Sequence, residues 1–228
     1  MNGYILIDKP AGWTSFDVVN KLRFMLAERQ KLLPKRLKVG HSGTLDPAAT
    51  GLLIVLIGEH TKRQAEFMKL DKTYRAEITL GAVSDTDDGE GEIKPVANAR
   101  KPTKAAVLAA LKRQTGRIQQ VPPQFSALKL KGKKAYELAR AGQTAELKPR
   151  TVNVRAVSDI EYHWPRLTFR AEVSSGTYIR SMARDLGQDL GSGGYLSGLR
   201  REAIGQFSVS EAVSVDQLNT NNIDQYVA

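Results

Sequence analysis

Residues 40–51 read Gly-His-Ser-Gly-Thr-Leu-Asp-Pro-Ala-Ala-Thr-Gly. The stretch holds one carboxylate, Asp46, and one imidazole, His41, among three glycines and a proline, which excludes a helix. A carboxylate held on a stiff loop can serve as a nucleophile or a general base. Taken alone, Asp46 also reads as a turn residue, because Asp before Pro starts turns and accepts backbone hydrogen bonds. Taken alone, His41 reads as a structural loop histidine. Three more stretches bear on the choice. Lys72-Thr73-Tyr74-Arg75-Ala76 puts Tyr74 on a strand, where a core tyrosine is the simple reading. Gly176-Thr177-Tyr178-Ile179-Arg180-Ser181 puts Tyr178 and Arg180 where a strand passes into a helix, with Arg180 one turn in and a surface ion pair as its simple reading. Leu199-Arg200-Arg201 reads by itself as a solvated basic turn.

Other chemistries lack their residues. There is no cysteine, so disulfides, thiol nucleophiles and thiolate metal sites are excluded. The histidines are His41, His60 and His163, with no His-x-x-x-His pair, so a zinc or iron site is not expected. Neither Gly-x-x-x-x-Gly-Lys-Ser/Thr nor Gly-x-Gly-x-x-Gly occurs, which leaves no nucleotide phosphate loop. Gly191-Ser192-Gly193-Gly194 reads as a flexible loop.

The chain of 228 residues carries a formal net charge of +10, a field that attracts polyanions, nucleic acid first. The charge is segregated. Residues 21–40 carry Lys21, Arg23, Arg29, Lys31, Lys35, Arg36 and Lys38 against Glu28 alone, a net +6. Residues 127–150 carry seven cations against Glu137 and Glu146, a net +5, whereas Asp85–Glu92 contributes −5. One basic face is expected. No apolar run is long enough for a membrane span, and Tyr4–Ile7 is too short for a signal peptide, so a cytoplasmic protein is expected.

The elements that must position these residues follow from periodicity. Gly3–Asp8 reads as a strand. Thr14 or Ser15 caps a helix with Phe16, Val19, Leu22 and Leu26 on one face. Leu52–Ile57 is apolar at both parities, as a central strand covered on both faces must be. Thr61–Lys69 suits a short helix, and Tyr74, Ala76, Ile78 and Leu80 alternate as in a strand. Asp85–Gly91 is an acidic turn. Thr103 caps a helix with Val107, Leu108 and Leu111 on one face, ended by Gly116. Pro122-Pro123 breaks the chain, and 129–140 is basic with a short helix ending at Gly142. Residues 152–163 and 167–174 form two strands joined near Trp164-Pro165, and Thr177–Leu190 a helix. With strands dominant and no regular βαβ alternation, the fold class is α+β, with a mixed, mainly antiparallel sheet and flanking helices.

The whole set resembles the TruB-type tRNA pseudouridine synthases, a family that also includes guide-RNA-directed dyskerin-like enzymes. The resemblance runs in order through Gly3–Gly12, Gly40–Gly51, Lys72–Ala76, Val121–Lys129, Gly132–Arg140, Gly176–Arg180 and Leu199–Arg201. It implies an isomerase with a single catalytic domain over 1–228. The enzyme would flip a uridine out of the tRNA T-loop, at the position called 55, and convert it to its C-glycoside without cofactor or metal. The resemblance makes Asp46 the nucleophile, attacking either the sugar C1′ or the base C6. It pairs Arg180 with that carboxylate, and a nearby cation favours and orients the ionised form. Tyr74 would stack on the uracil, with its hydroxyl near C5. Tyr178 and Leu199 would line an apolar uridine pocket that keeps water out. His41 would fill the space the flipped base leaves, and Lys9 and the basic segments would hold phosphates.

Residues 122–150 match the family's mobile basic segment that closes over the T-arm stem-loop. Three departures stand out: Ala48 where the family often has Leu, a longer and more basic stretch at Gln30–Val39, and no length for a C-terminal RNA-binding module, so that either the lineage lacks the module or the chain is part of a longer protein. The expected protein is a short, protein-only enzyme, a monomer that needs no guide RNA and no protein partner. Two other functions fit parts of the sequence: an RNA-folding factor using the same basic segments, and a glycosidase-like hydrolase, for which the matched blocks lack a second carboxylate.

Overall fold

The structure is a computed structural model that describes residues 1–126, 128–130, 133–143 and 146–228. Along the chain the elements are β1 (Gly3–Lys9), α1 (Ser15–Arg29), β2 (Val39–His41), β3 (Thr50–Ile57), α2 (Gln64–Lys69), β4 (Lys72–Leu80), β5 (Ala82–Ser84) and β6 (Ile93–Pro95). There follow α3 (Lys104–Arg113), β7 (Gly116–Gln120), β8 (Lys129–Leu130), β9 (Lys133–Lys134), α4 (Ala135–Arg140), β10 (Arg150–His163), β11 (Arg166–Val173), α5 (Ile179–Asp189), β12 (Gly194–Ile204), β13 (Phe207–Ser208) and β14 (Val213–Ser214). Two compact units result: Met1–Tyr74 with Leu199–Ala228, and Arg75–Gly198. Strands β4 and β12 each carry the chain from one unit into the other.

In the first unit the strand order is β14-β1-β3-β12, with β2 also on β3. β1 and β2 run antiparallel to β3, while β12 runs parallel to it and β14 parallel to β1. The sheet is therefore mixed. β3 is covered on both faces, as its sequence requires. Leu53, Val55 and Ile57 pack with Val18, Val19, Leu22 and Leu26 of α1. Leu52, Ile54 and Leu56 pack with Phe67 and Ile204. Thr14 caps α1 in a reciprocal box with Asp17, satisfying two donors that the helix start would otherwise leave unpaired. The buried face of α1 holds Val19, Leu22 and Leu26 as expected and adds Val18, whereas Phe16, expected inside, is 59% exposed.

The second unit orders β4-β11-β10-β7, with α3 and α5 supplying helical cover. Its buried side chains include Val107, Ala110 and Leu111 of α3, Leu167, Phe169, Ala171 and Val173 of β11, and Met182, Ala183 and Leu186 of α5. Leu108 is 40% exposed, with Ala110 taking the inner position. Gly116 opens β7 instead of ending α3, which Gln114 closes. Gly191–Gly194 is a packed turn and not the flexible loop expected. Ser192 is fully buried, and a Cβ on Gly187 of α5 would lie 2.2 Å from the backbone nitrogen of Gly194. Among the described residues no helix is long and apolar enough to cross a membrane.

Candidate active site

The 42–49 loop connects β2 to β3, so His41 sits on the last residue of a strand and Asp46 at the crest between two strands. Asp46 is half-buried, and both its neighbours in the chain are pinned. On one side Ser15, the first residue of α1, accepts from the Leu45 N–H at 2.8 Å and donates to the Leu45 carbonyl at 3.1 Å. On the other side the Pro47 carbonyl accepts from the Lys9 ammonium at 3.1 Å and from the Gly12 N–H at 2.9 Å. A loop restrained immediately before and after one residue holds that residue in place.

Lys9 was expected at RNA phosphates. The structure places it differently: it is fully buried and donates to the carbonyls of Pro10 (2.8 Å), Trp13 (2.6 Å) and Pro47. An ammonium has three donors, and these carbonyls occupy all three. Lys9 therefore braces the loop from below.

Arg201 braces the same loop from the side. It lies on β12, paired with Gly51 of β3, and is 1% exposed. Its Nε donates to the Leu52 carbonyl at 2.7 Å and its Nη2 to the Gly43 carbonyl at 3.1 Å. The stretch expected to be a solvated turn is thus strand, with a buried arginine in it. Gly51 is needed there: its φ is +100°, and a Cβ would stand 2.2 Å from the Arg201 carbonyl oxygen. Arg200 faces the other way, forming a bidentate pair with Asp8 at 3.0 and 2.7 Å.

His41 Nδ1 accepts from the Gly43 N–H at 3.2 Å, so the ring's proton sits on Nε2. Burial, and then the nearby Arg201 cation, push the His41 pKa below its ordinary value. The ring is accordingly neutral at pH 7. Leu199 stands beside Thr50, whose hydroxyl reaches the Leu199 carbonyl at 3.5 Å. Tyr74 is 9% exposed and follows Lys72 on the same face of β4. Lys72 donates to the Met68 and Leu70 carbonyls at the end of α2, and burial holds its pKa down to about 8. Asp46, His41, Lys9, Tyr74 and Leu199 thus belong to the first unit.

Tyr178 and Arg180 belong to the second unit. The helix begins at Ile179, so Arg180 is its second residue, earlier than the full turn expected. Its guanidinium is buried with Asp88, Nη1 to Oδ2 at 3.3 Å, side chains 8% and 11% exposed. It also donates to the Thr86 carbonyl at 3.3 Å and the Phe125 carbonyl at 2.9 Å. The ion pair read from sequence as superficial is buried.

Asp88 went unnoticed in the sequence. Its signal was the acidic turn Asp85–Glu92, whose density of carboxylates hid which one faces inward. One helical turn on, Arg184 grips Asp87 at 2.9 Å and Asp185 at 2.8 Å. Burial raises the pKa of both carboxyls, opposed by the Arg184 charge. The basic segment expected to close over RNA, about 122–150, includes Ala127, Lys131, Gly132, Thr144 and Ala145, which lie outside the described residues. Among the described residues no group of three or more His, Asp or Glu is placed to hold a metal ion.

The fold is that of the pseudouridine synthases: a Cbf5–Nop10–Gar1 complex contains a chain that superposes with a TM-score of 0.70 at 28% identity, over 98% of this chain and 54% of that one. This chain thus spans about half the length of that structural neighbour. Residues 29–179 match the model of the TruB family pseudouridylate synthase, N-terminal domain. Curated relatives include tRNA pseudouridine synthase B of Thermobifida fusca, 45% identical over 95% of this chain and 74% of that protein. The enzyme of the same name from Phocaeicola vulgatus is 44% identical over 93% of this chain and 89% of its own. The chain belongs to the TruB family of pseudouridylate synthases. It is an isomerase of that class.

Proposed function

We propose that this chain converts a uridine of tRNA to pseudouridine, that the uridine is the T-loop one at position 55, and that Asp46 is the nucleophile. The activity on tRNA follows the relatives of the same name that share 44–45% identity over more than nine-tenths of the chain. One structural observation supports the role of Asp46. It alone in its loop offers a half-buried carboxylate while the residues on both sides are pinned by Ser15, Lys9 and Gly12.

In this reading the carboxylate attacks C1′ or C6 of the flipped nucleotide, and the N-glycosidic bond breaks. The uracil turns, C5 bonds to C1′, the bond to Asp46 is broken again, and the C5 proton leaves while N1 takes one up. Arg180 pairs with Asp46 and keeps it ionised and aligned. Tyr74 stacks on the uracil, and Tyr178 and Leu199 wall the pocket. His41, neutral through burial, presents an uncharged ring to the stack that the base has left. Lys9 acts through the loop. The enzyme works as a monomer in the cytoplasm, on the T-arm stem-loop, without guide RNA.

The test uses tRNA tritiated at uridine C5. Asp46→Asn is expected to abolish tritium release while still binding tRNA; release at the wild-type rate would remove Asp46 from the chemistry. Mapping the product reads the site, and pseudouridine formed at positions other than 55 would overturn the T-loop assignment.

A further inference from the structure

After β7 the chain runs through Val121–Ser126 with neither helix nor strand. Its carbonyls need donors, and α5 supplies them. The Val121 carbonyl accepts from the Ser181 hydroxyl at 2.8 Å and from Arg184 Nη2 at 2.8 Å. The Phe125 carbonyl accepts from Arg180 Nη2 at 2.9 Å.

At the root of this segment stands Gln120, 1% exposed. Its carboxamide Oε1 accepts from the Tyr178 N–H at 2.8 Å, and its Nε2 donates to the Tyr178 carbonyl at 3.0 Å. The two bonds fix the orientation of the amide, since an N–H must meet the oxygen and a carbonyl the nitrogen. One side chain thereby does what a neighbouring strand would do for a residue in a sheet. Tyr178 is the N-cap of α5 and has no side-chain cap bond. Its backbone position, and with it the first turn that carries Arg180, depends on an amide 58 positions away in the chain.

We propose that Gln120 is a positioning residue for the isomerisation: through the backbone of Tyr178 it sets where the Tyr178 ring and the Arg180 guanidinium stand when uridine binds. This rests on the reading of Tyr178 and Arg180 as pocket residues. The role demands a donor and an acceptor at a fixed reach. Asn falls one methylene short, Met fills the space with no bond, and an ionised Glu sets an oxygen against the Tyr178 carbonyl. A protonated Glu restores both bonds, since a carboxylic acid offers one donor and one acceptor.

The experiment is single-turnover pseudouridine formation with saturating enzyme on full-length tRNA tritiated at uridine C5, with tRNA affinity measured separately. Gln120→Met is expected to slow the step about 100-fold, the scale of a 1 Å misplacement, with affinity within about twofold of wild type. Gln120→Glu is expected to be comparably slow at pH 8 and to recover at least about tenfold towards pH 5.5 as its acid protonates. Rates are taken relative to wild type at each pH, so that titration of Asp87 and Asp185, the raised carboxyls bound to Arg184, cancels. Gln119→Ala, at the exposed neighbour whose amide reaches Thr151, serves as the control and is expected to match wild type.

A folded Gln120→Met enzyme within threefold of the wild-type rate overturns the proposal. If that variant does not fold, a Gln120→Glu enzyme whose relative rate is flat with pH overturns it. Should Tyr178→Ala and Arg180→Lys leave the rate untouched, the pocket reading itself fails. Should they slow it while Gln120→Met does not, only this inference fails.

Discussion

The loop of Asp46 and the first turn of α5 are braced in opposite ways. Around Asp46 the bonds to Ser15 and Lys9 go to the backbone on either side, at Leu45 and Pro47, and the side chain itself is half-buried. The braces come from β1, from the start of α1 and from β12, all packed on a strand buried on both faces. Around Arg180 the bonds go to the side chain itself, from the acidic turn and from Val121–Ser126. Neither of those segments belongs to a regular element at the point of contact. In the proposed roles the nucleophile must reach substrate, so the loop on either side of it is held. In the same proposal Arg180 orients, and a cation whose work is to stay in place can be clamped directly.

If that contrast holds, the two regions should break differently. The largest effect is expected from Asp88→Asn. The variant keeps the shape but removes the Asp88 carboxylate from beside the buried Arg180 cation. Breaking a buried pair costs about 3–5 kcal/mol, and both midpoint denaturant concentration and isomerisation rate should fall. A stability within 1 kcal/mol of wild type would mean that the other partners of Arg180, the Thr86 and Phe125 carbonyls among them, suffice.

Lys9→Met comes next. It strands the part-buried carbonyls of Pro10 and Trp13 and leaves that of Pro47 to the Gly12 N–H, at a cost of about 3 kcal/mol. The signature that separates it from loss of a phosphate contact is salt: the dependence of tRNA affinity on salt should be unchanged, whereas losing a phosphate contact would lower the slope of log affinity by about 0.7–0.9. Ser15→Ala should be milder, about 1–2 kcal/mol, with a slower reaction because Leu45 is released on one side.

A smaller effect concerns His41. Its folded pKa lies below the unfolded value of 6.5, so below that pH the unfolded chain takes up the proton first. Stability should be full above pH 6.5 and decline as the pH falls below it. Thermal melts of His41→Gln should show a flatter dependence across that window; an unchanged dependence would assign the slope elsewhere.

The smallest structural effect is expected on the surface of the first unit. Lys31, Lys35 and Arg36 are exposed, so replacing all three with Gln should leave the melting temperature within about 1 °C of wild type. If they meet RNA, the salt slope of tRNA binding drops; if it does not, the basic stretch at 30–39 is only a solvated surface.

Much of the first unit was legible because its signals are local. The double-parity run at 52–57 announced a strand covered on both faces, and Thr14 announced a helix start; both depend on neighbours a few positions away. On α1 the sequence placed Val19, Leu22 and Leu26 inward correctly but took Phe16 for Val18, since both are apolar and only the packed sheet decides which turns inward. Arg200 and Arg201 illustrate the same limit. They are identical in type and adjacent, yet one pairs with Asp8 near the surface and the other is buried beneath the Asp46 loop. Alternation along β12 separates them, and a strand had to be known before alternation could be used.

By itself, then, the sequence determined the family, the fold class and the identity of the one carboxylate on the 40–51 loop, because ordered motifs and local periodicity survive without coordinates. Only the tertiary structure decided the fate of Lys9, Arg201, Asp88 and Gln120. Each is a polar residue whose burial depends on partners far away in the chain, and a buried polar group keeps its place only where those partners are assembled.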